Sequence, residues 1–173
     1  LNDDWEFEKD FLNKNSSSKV EAYDHTVDRH FWLQRFKKDF IALLLLKKIT
    51  PRQILDIFKY VNYLNFFKGK NKHHIKKIVS HKNDENNQAT ISEVIGDNEN
   101  IILKIDIEGD EFKILEEIDK NLDKINLLII EFHDMQKNLK KVENFIENTK
   151  LKSIHINANN YGMVDEKGIP QVI

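Results

Sequence analysis

The sequence predicts an α/β fold organised around a mostly parallel sheet. Two apolar runs that end abruptly in carboxylates predict it, Ile101 to Asp110 (IILKIDIEGD) and Leu127 to Asp134 (LLIIEFHD). Strands buried on both faces of a parallel sheet read as continuous Ile/Leu/Val runs, and ligands bind beyond their carboxyl ends. Between the two lies Glu111 to Lys120 (EFKILEEIDK), whose Phe112, Ile114, Leu115 and Ile118 suit one helical face. The three together form a strand–helix–strand unit that delivers acids and a histidine to a crevice.

The remaining elements follow in order. Trp5 to Lys14 reads as a helix capped by an aspartate, with Trp5, Phe7, Phe11 and Leu12 on one side. A turn at Asn15 to Ser18 leads to a short strand, Lys19 to Tyr23, ending at Asp24, His25 and Thr26. Arg29 to Lys48 is dense in large apolar residues, and Thr50 with Pro51 opens a second helical run through Phe67. These helices are expected to cover the sheet, while their aromatics could instead form a substrate wall or a dimer face. His73 to Ser80 reads as a strand and Thr90 to Ile95 as a short helix or turn. Met135 to Lys150 reads as a helix and Leu151 to Asn157 as another strand. A terminal hairpin around Gly168 closes the chain.

Composition narrows the function classes. The 173 residues contain few glycines and prolines, which favours one domain spanning residues 1–173. Lys plus Arg number 27 against 29 Asp plus Glu, a balance that argues against a mainly electrostatic nucleic-acid binder. Cysteine is absent, which excludes disulfides, thiolate nucleophiles and cysteine-held zinc, and fits a cytoplasmic enzyme. The aliphatic run Ile41 to Leu46 is far shorter than the roughly 20 residues a membrane span needs. The abundance of Lys, Asn and Ile suggests an AT-rich bacterial genome. The chain opens at Leu1 in polar sequence, so an upstream strand is expected before it. Walker, GxSxG, HExxH and GxGxxG signatures are all missing.

Several residues stand where chemistry is expected. Asp24, at a strand tip, is placed to accept both hydroxyls of a ribose, although turn-forming aspartates are common there. Lys104, Asp106 and Glu108 alternate, and a lysine inside an apolar run calls for an ion pair with Asp106 or Glu131. In the functional reading Asp106 and Glu108 orient a hydroxyl or a metal while Lys104 tunes their charge. Glu131 and His133 also alternate, and a histidine beside carboxylates can serve as a general base. His155, Asn157, Asn159 and Asn160 offer groups suited to sugar hydroxyls. Carboxylates and histidines together could hold a divalent metal, though their spacing selects none. His73 and His74 read as surface residues.

Four ordered blocks resemble the FkbM-type family of S-adenosylmethionine-dependent methyltransferases: Lys104–Glu111 (KIDIEGDE), Ile130–His133 (IEFH), His155–Gly162 (HINANNYG), and the opening DDWEFEKDF with YDHT. The resemblance implies a Rossmann-like class I methyltransferase fold, with helices on both faces of the sheet and an antiparallel last strand. Arg29 to Lys70 is then a helical insertion. It implies S-adenosylmethionine as cofactor, with Asp24 on its ribose, Asn2, Asp3 and Asp4 bordering its methionine part, and Asp106 with Glu108 near the reacting centre. His133 becomes the first candidate for base or substrate orienter, supported by Glu131. The implied reaction is O-methylation of a bacterial carbohydrate, such as a capsule or surface-polysaccharide precursor, or of a secondary metabolite. A small-molecule or glycan acceptor is the expected partner, with a homodimer left open and neither nucleic acid nor a membrane span expected. The glycine loop that precedes these blocks in the family is expected upstream of Leu1. A noncatalytic assembly module and another nucleotide- or metal-dependent transferase are the competing readings.

Overall fold

A computed structural model describes residues 5–45, 58–82, 87–159 and 162–173. They fall into two units, Leu1–Ile78 and Val79–Ile173.

In the first unit, helix α1 (Glu6–Lys14) leads to strand β1 (Val20–Tyr23), then to helices α2 (Arg29–Leu44) and α3 (Lys59–Phe66) and strand β2 (Lys72–Ile75). β1 and β2 pair in parallel, Val20 opposite Lys72 and Tyr23 opposite Ile75. The core is aromatic: Trp5, Trp32, Tyr63 and Phe66 are buried together with Leu12 and Val27. Trp5 meets Trp32 and Tyr63 edge-on at 6.2 and 6.0 Å, the geometry that ring quadrupoles favour. That packing moves the start of α1. Trp5 occupies the cap position without capping through its side chain, so the expected aspartate-capped start at Trp5 gives way to a helix beginning at Glu6. Phe7 is exposed rather than on the buried face. The expected helix start at Thr50 and Pro51 lies outside the described residues.

His74 departs from its expected surface place. It is half-buried between the Tyr63 hydroxyl, which meets its Nδ1, and the Asp24 carbonyl, which accepts from Nε2 at 2.8 Å. Burial holds its pKa below the usual value, outweighing the Asp24 carbonyl and carboxylate that pull upward. A histidine whose folded pKa is lowered resists protonation. Acidification through the unfolded histidine range near 6.5 therefore draws stability away from this group.

β3 (Ile78–Val79), at the division of the chain into its two units, pairs with β4 (Gln88–Ala89). Helix α4 (Ile91–Ile95) follows, then β5 (Ile101–Ile105), α5 (Glu111–Lys120), a 3-10 turn at Leu122–Lys124, β6 (Ile125–Ile130) and α6 (Met135–Asn148). β5 and β6 are parallel, Leu103 opposite Leu128 and Ile105 opposite Ile130, so the strand–helix–strand unit forms as its pattern requires. Leu103 and Ile105 bury against Ile91 and Ile95 of α4 and Ile114 and Ile118 of α5. A second cluster joins Phe132, Met135 and Val142, with Phe112 stacked on Phe132 at 5.5 Å.

α4 is too short to hold itself and depends on its caps. Thr90 Oγ1 accepts from Glu93 N, and Glu93 Oε2 accepts from Thr90 N, a complete capping box. Glu117 of α5 also accepts from Ile91 N and Ser92 N. Thr90→Ala should lower stability by about 1 kcal/mol, read as a drop of a few degrees in melting temperature. An unchanged melting curve would show that Glu117 alone suffices.

Two fold expectations are corrected among the described residues. The strands form three separate two-stranded sheets, not one central sheet, and no antiparallel last strand is present. The expected strand Leu151 to Asn157 forms no ladder, and Ile154 and Ile156 are exposed. Alternation records amphipathicity, whereas a strand also needs a neighbouring edge to bond to. The end of the chain does turn back, with Val164 bridged antiparallel to Pro170 around Gly168. It then bonds beside the site: Phe132 and Ile173 exchange N–H···O bonds of 2.7 and 3.1 Å, and Met135 N donates to Gln171 O. No helix among the described residues is long and apolar enough to cross a membrane.

Candidate active site

β5 ends at Ile105, and the chain turns at Glu108 and Gly109. Glu108 and Gly109 both take positive φ, 56° and 109°. Glycine adopts such a conformation at little cost, whereas Glu108 bears steric strain. The loop is closed from beneath by Glu111, in the first turn of α5. Glu111 Oε1 accepts from Gly109 N at 3.0 Å and Ile107 N at 3.3 Å. The same oxygen meets His133 Nδ1 at 2.8 Å. Glu111 is 0% exposed, and its Oε2 has no hydrogen-bond partner among the described residues.

His133 lies just past β6, between Phe132, whose backbone is tied to Ile173, and Asp134, which takes the left-handed conformation before α6. Its Nε2 faces Glu108 Oε2 at 3.5 Å and Asp106 Oδ1 at 3.9 Å. Those separations exceed a good hydrogen bond. The His133 side chain is 17% exposed, whereas Asp106 and Glu108 are 44% and 84% exposed. One wall of the site is therefore held inside the protein and the other is open to solvent.

Burial by itself would depress the His133 pKa. The hydrogen bond and charge of Glu111, with the charges of Glu108 and Asp106, outweigh it and raise the pKa above the ordinary 6.5. A raised histidine pKa stabilises the fold fully below the unfolded value, and that stability is lost as pH rises through the folded pKa. Asp106, Glu108 and His133 each present one donor atom within 4.8 Å of the others, so a divalent cation could bridge them. Two carboxylates and an imidazole are donors that suit a hard or borderline ion.

The other expected residues fall elsewhere. Lys104 is exposed, at the opposite parity to buried Leu103 and Ile105. Glu131 accepts from Asn159 Nδ2 at 3.1 Å, and the carboxylate that supports His133 is Glu111 instead. His155 and Asn157 are exposed on the unpaired stretch after α6. Asp24 folds its Oδ1 onto its own turn, accepting from Thr26 N at 2.7 Å, Thr26 Oγ1 at 2.6 Å and Val27 N at 3.3 Å. Asn2, Asp3, Asp4 and Asn160 lie outside the described residues. Glu111 was not singled out from the sequence, because an acid in a helix's first turn reads as dipole compensation. Its signal was its place two residues after Gly109, which turns the acidic loop.

A family model, the methyltransferase FkbM domain, matches residues 55–154. The chain belongs to the FkbM methyltransferase domain family. The matched stretch holds β5, the acidic loop, α5, β6 and His133, so the clustered residues all lie inside it. α2 lies upstream of the match. Membership implies S-adenosylmethionine as methyl donor and a Rossmann-like methyltransferase fold. No curated protein and no solved structure matches the chain.

Proposed function

We propose that this FkbM-family protein transfers the methyl group of S-adenosylmethionine to a hydroxyl oxygen, with His133 as general base. The observation that carries the reading is His133 itself, held at Nδ1 by buried Glu111 while Nε2 faces Asp106 and Glu108. S-adenosylmethionine supplies an electrophilic methyl carbon on a sulfonium. A hydroxyl between His133 and the acidic loop donates its proton to Nε2 as its oxygen bonds the methyl carbon and the carbon–sulfur bond breaks. Asp106 and Glu108 orient the acceptor and offset the imidazolium charge. A divalent cation held by Asp106, Glu108 and His133 would instead lower the pKa of the bound hydroxyl.

Two exposed carboxylates suit an acceptor with neighbouring hydroxyls, which supports a sugar, such as a bacterial surface-polysaccharide precursor, over a lone phenol. The Glu131–Asn159 pair offers further polar groups near the end of β6. Asp24 on the cofactor's ribose and Asn2 to Asp4 beside its methionine part remain part of the proposal. The lack of cysteine fits action in a reducing cytoplasm. The test is to incubate the protein with methyl-labelled S-adenosylmethionine and a panel of sugar nucleotides and oligosaccharides. Label recovered as an alkali-stable methyl ether supports the reading. Cofactor binding without label in any hydroxyl acceptor, but with label in an amine, overturns it.

A base must be neutral to act. The rate should therefore rise with pH through the His133 pKa, placing the rising limb of kcat/KM above pH 6.5. A limb centred well below that value would point to a carboxylate as the titrating group. A second reading, assembly with another copy, draws on α2, where Leu33, Phe36, Phe40 and Leu44 are exposed and Phe36 stacks on Phe40. Sedimentation of wild type against Phe40→Glu tests it, with a monomeric wild type counting against it.

A further inference from the structure

We infer that Glu111 is a positioning residue which, through the single oxygen Oε1, fixes the acidic loop and the proton-bearing nitrogen of His133 together. This rests on the reading of His133 as base and specifies how that base is prepared. Oε1 accepts from two backbone N–H groups of the loop, Ile107 and Gly109. It acts as an acceptor there, so the His133 ring at 2.8 Å must be the donor, with its proton on Nδ1. In the neutral ring that leaves the Nε2 lone pair directed at the space between Asp106 and Glu108. The tautomer is what a base needs, and water would not enforce it.

Stability alone does not account for this residue. A carboxylate that is 0% exposed with one oxygen unpartnered among the described residues is costly, and an apolar side chain of similar volume would avoid the penalty. Oε1 nevertheless ties together two chain segments, residues 107–109 and residue 133, that carry the site's groups. Displacing it would release both walls at once.

Reach and charge can be separated. In Glu111→Gln the amide oxygen keeps its reach and can still accept all three N–H groups. In Glu111→Asp the charge remains but the oxygen falls one methylene short. Side-chain nitrogen NMR of His133, recorded at a pH where the ring is neutral, should show the proton on Nδ1 in wild type and in Glu111→Gln. The Glu111→Asp ring should shift towards Nε2 protonation. Turnover should follow the same order, with Glu111→Asp at least about tenfold below Glu111→Gln, in line with supporting groups behind an active imidazole. A wild-type ring protonated on Nε2 overturns the inference. So does a Glu111→Asp ring indistinguishable from wild type, or a Glu111→Gln ring that behaves like Glu111→Asp. The tautomer is read without substrate. An expected NMR pattern with no methyl transfer thus counts against the proposed reaction and leaves the role of Glu111 standing.

Discussion

His133→Ala should lower the rate of methyl transfer by about 10²- to 10⁴-fold, the usual contribution of a positioned general base. Three features set that expectation. Nδ1 is engaged by a buried acceptor, Nε2 faces the two exposed carboxylates, and the pKa is raised so that the ring takes a proton readily. The fold should change little by comparison. Glu111 Oε1 keeps its two backbone donors when the imidazole is removed, so the buried carboxylate is not stranded. Asp106→Asn should also slow the reaction, by a smaller factor, because Glu108 still supplies charge beside Nε2. The check is turnover with saturating cofactor alongside a thermal melt of each variant. A His133→Ala protein that keeps its rate would remove the base from the mechanism. One that loses rate only because it no longer folds would make His133 structural.

Ile114→Ala should destabilise the protein by about 2–5 kcal/mol, among the larger costs a single truncation produces. Ile114 is 0% exposed and belongs to the cluster that joins α4 and α5 to Leu103 and Ile105 of β5. Removing its branched side chain loses transfer free energy and leaves a cavity that these neighbours can fill only in part. The effect reaches the site, because α5 carries Glu111 three residues earlier on the same helix. Urea unfolding of the variant should show a lowered midpoint with little change in slope. A loss below about 1 kcal/mol would mean that the cluster collapses around the cavity and is less tightly packed than its burial indicates.

The parts of the fold legible in the sequence were those with strong local periodicity. The α5 boundaries, Glu111 to Lys120, coincide with the predicted helix, and β5 and β6 fall within or beside the two apolar runs. Pairing was less legible, since it depends on edges that meet in space. In Leu151 to Asn157, Ile154 and Ile156 alternate with polar residues, yet no ladder forms among the described residues. The same limit applied to the site. Asp106, Glu108 and His133 could be grouped because each follows an apolar strand, and their side chains do converge. Lys104, Asp106 and Glu108 are exposed while Leu103, Ile105 and Ile107 are more buried, so the alternation carries past β5 even though Glu108 takes positive φ. Glu111 escaped notice because its role comes from the loop folding back over the first turn of α5. His74 escaped notice for a similar reason, its partners Tyr63 and Asp24 being 11 and 50 residues away in sequence.

Methyl transfer first requires that the protein bind the methyl donor. Calorimetric titration of S-adenosylmethionine into the intact, folded protein measures this without knowledge of the acceptor. Saturable binding near one molecule per chain is expected, retained by His133→Ala, whose role is in the transfer step. A folded protein that gives no binding heat at several temperatures, and no protection against thermal unfolding by the cofactor, would contradict it.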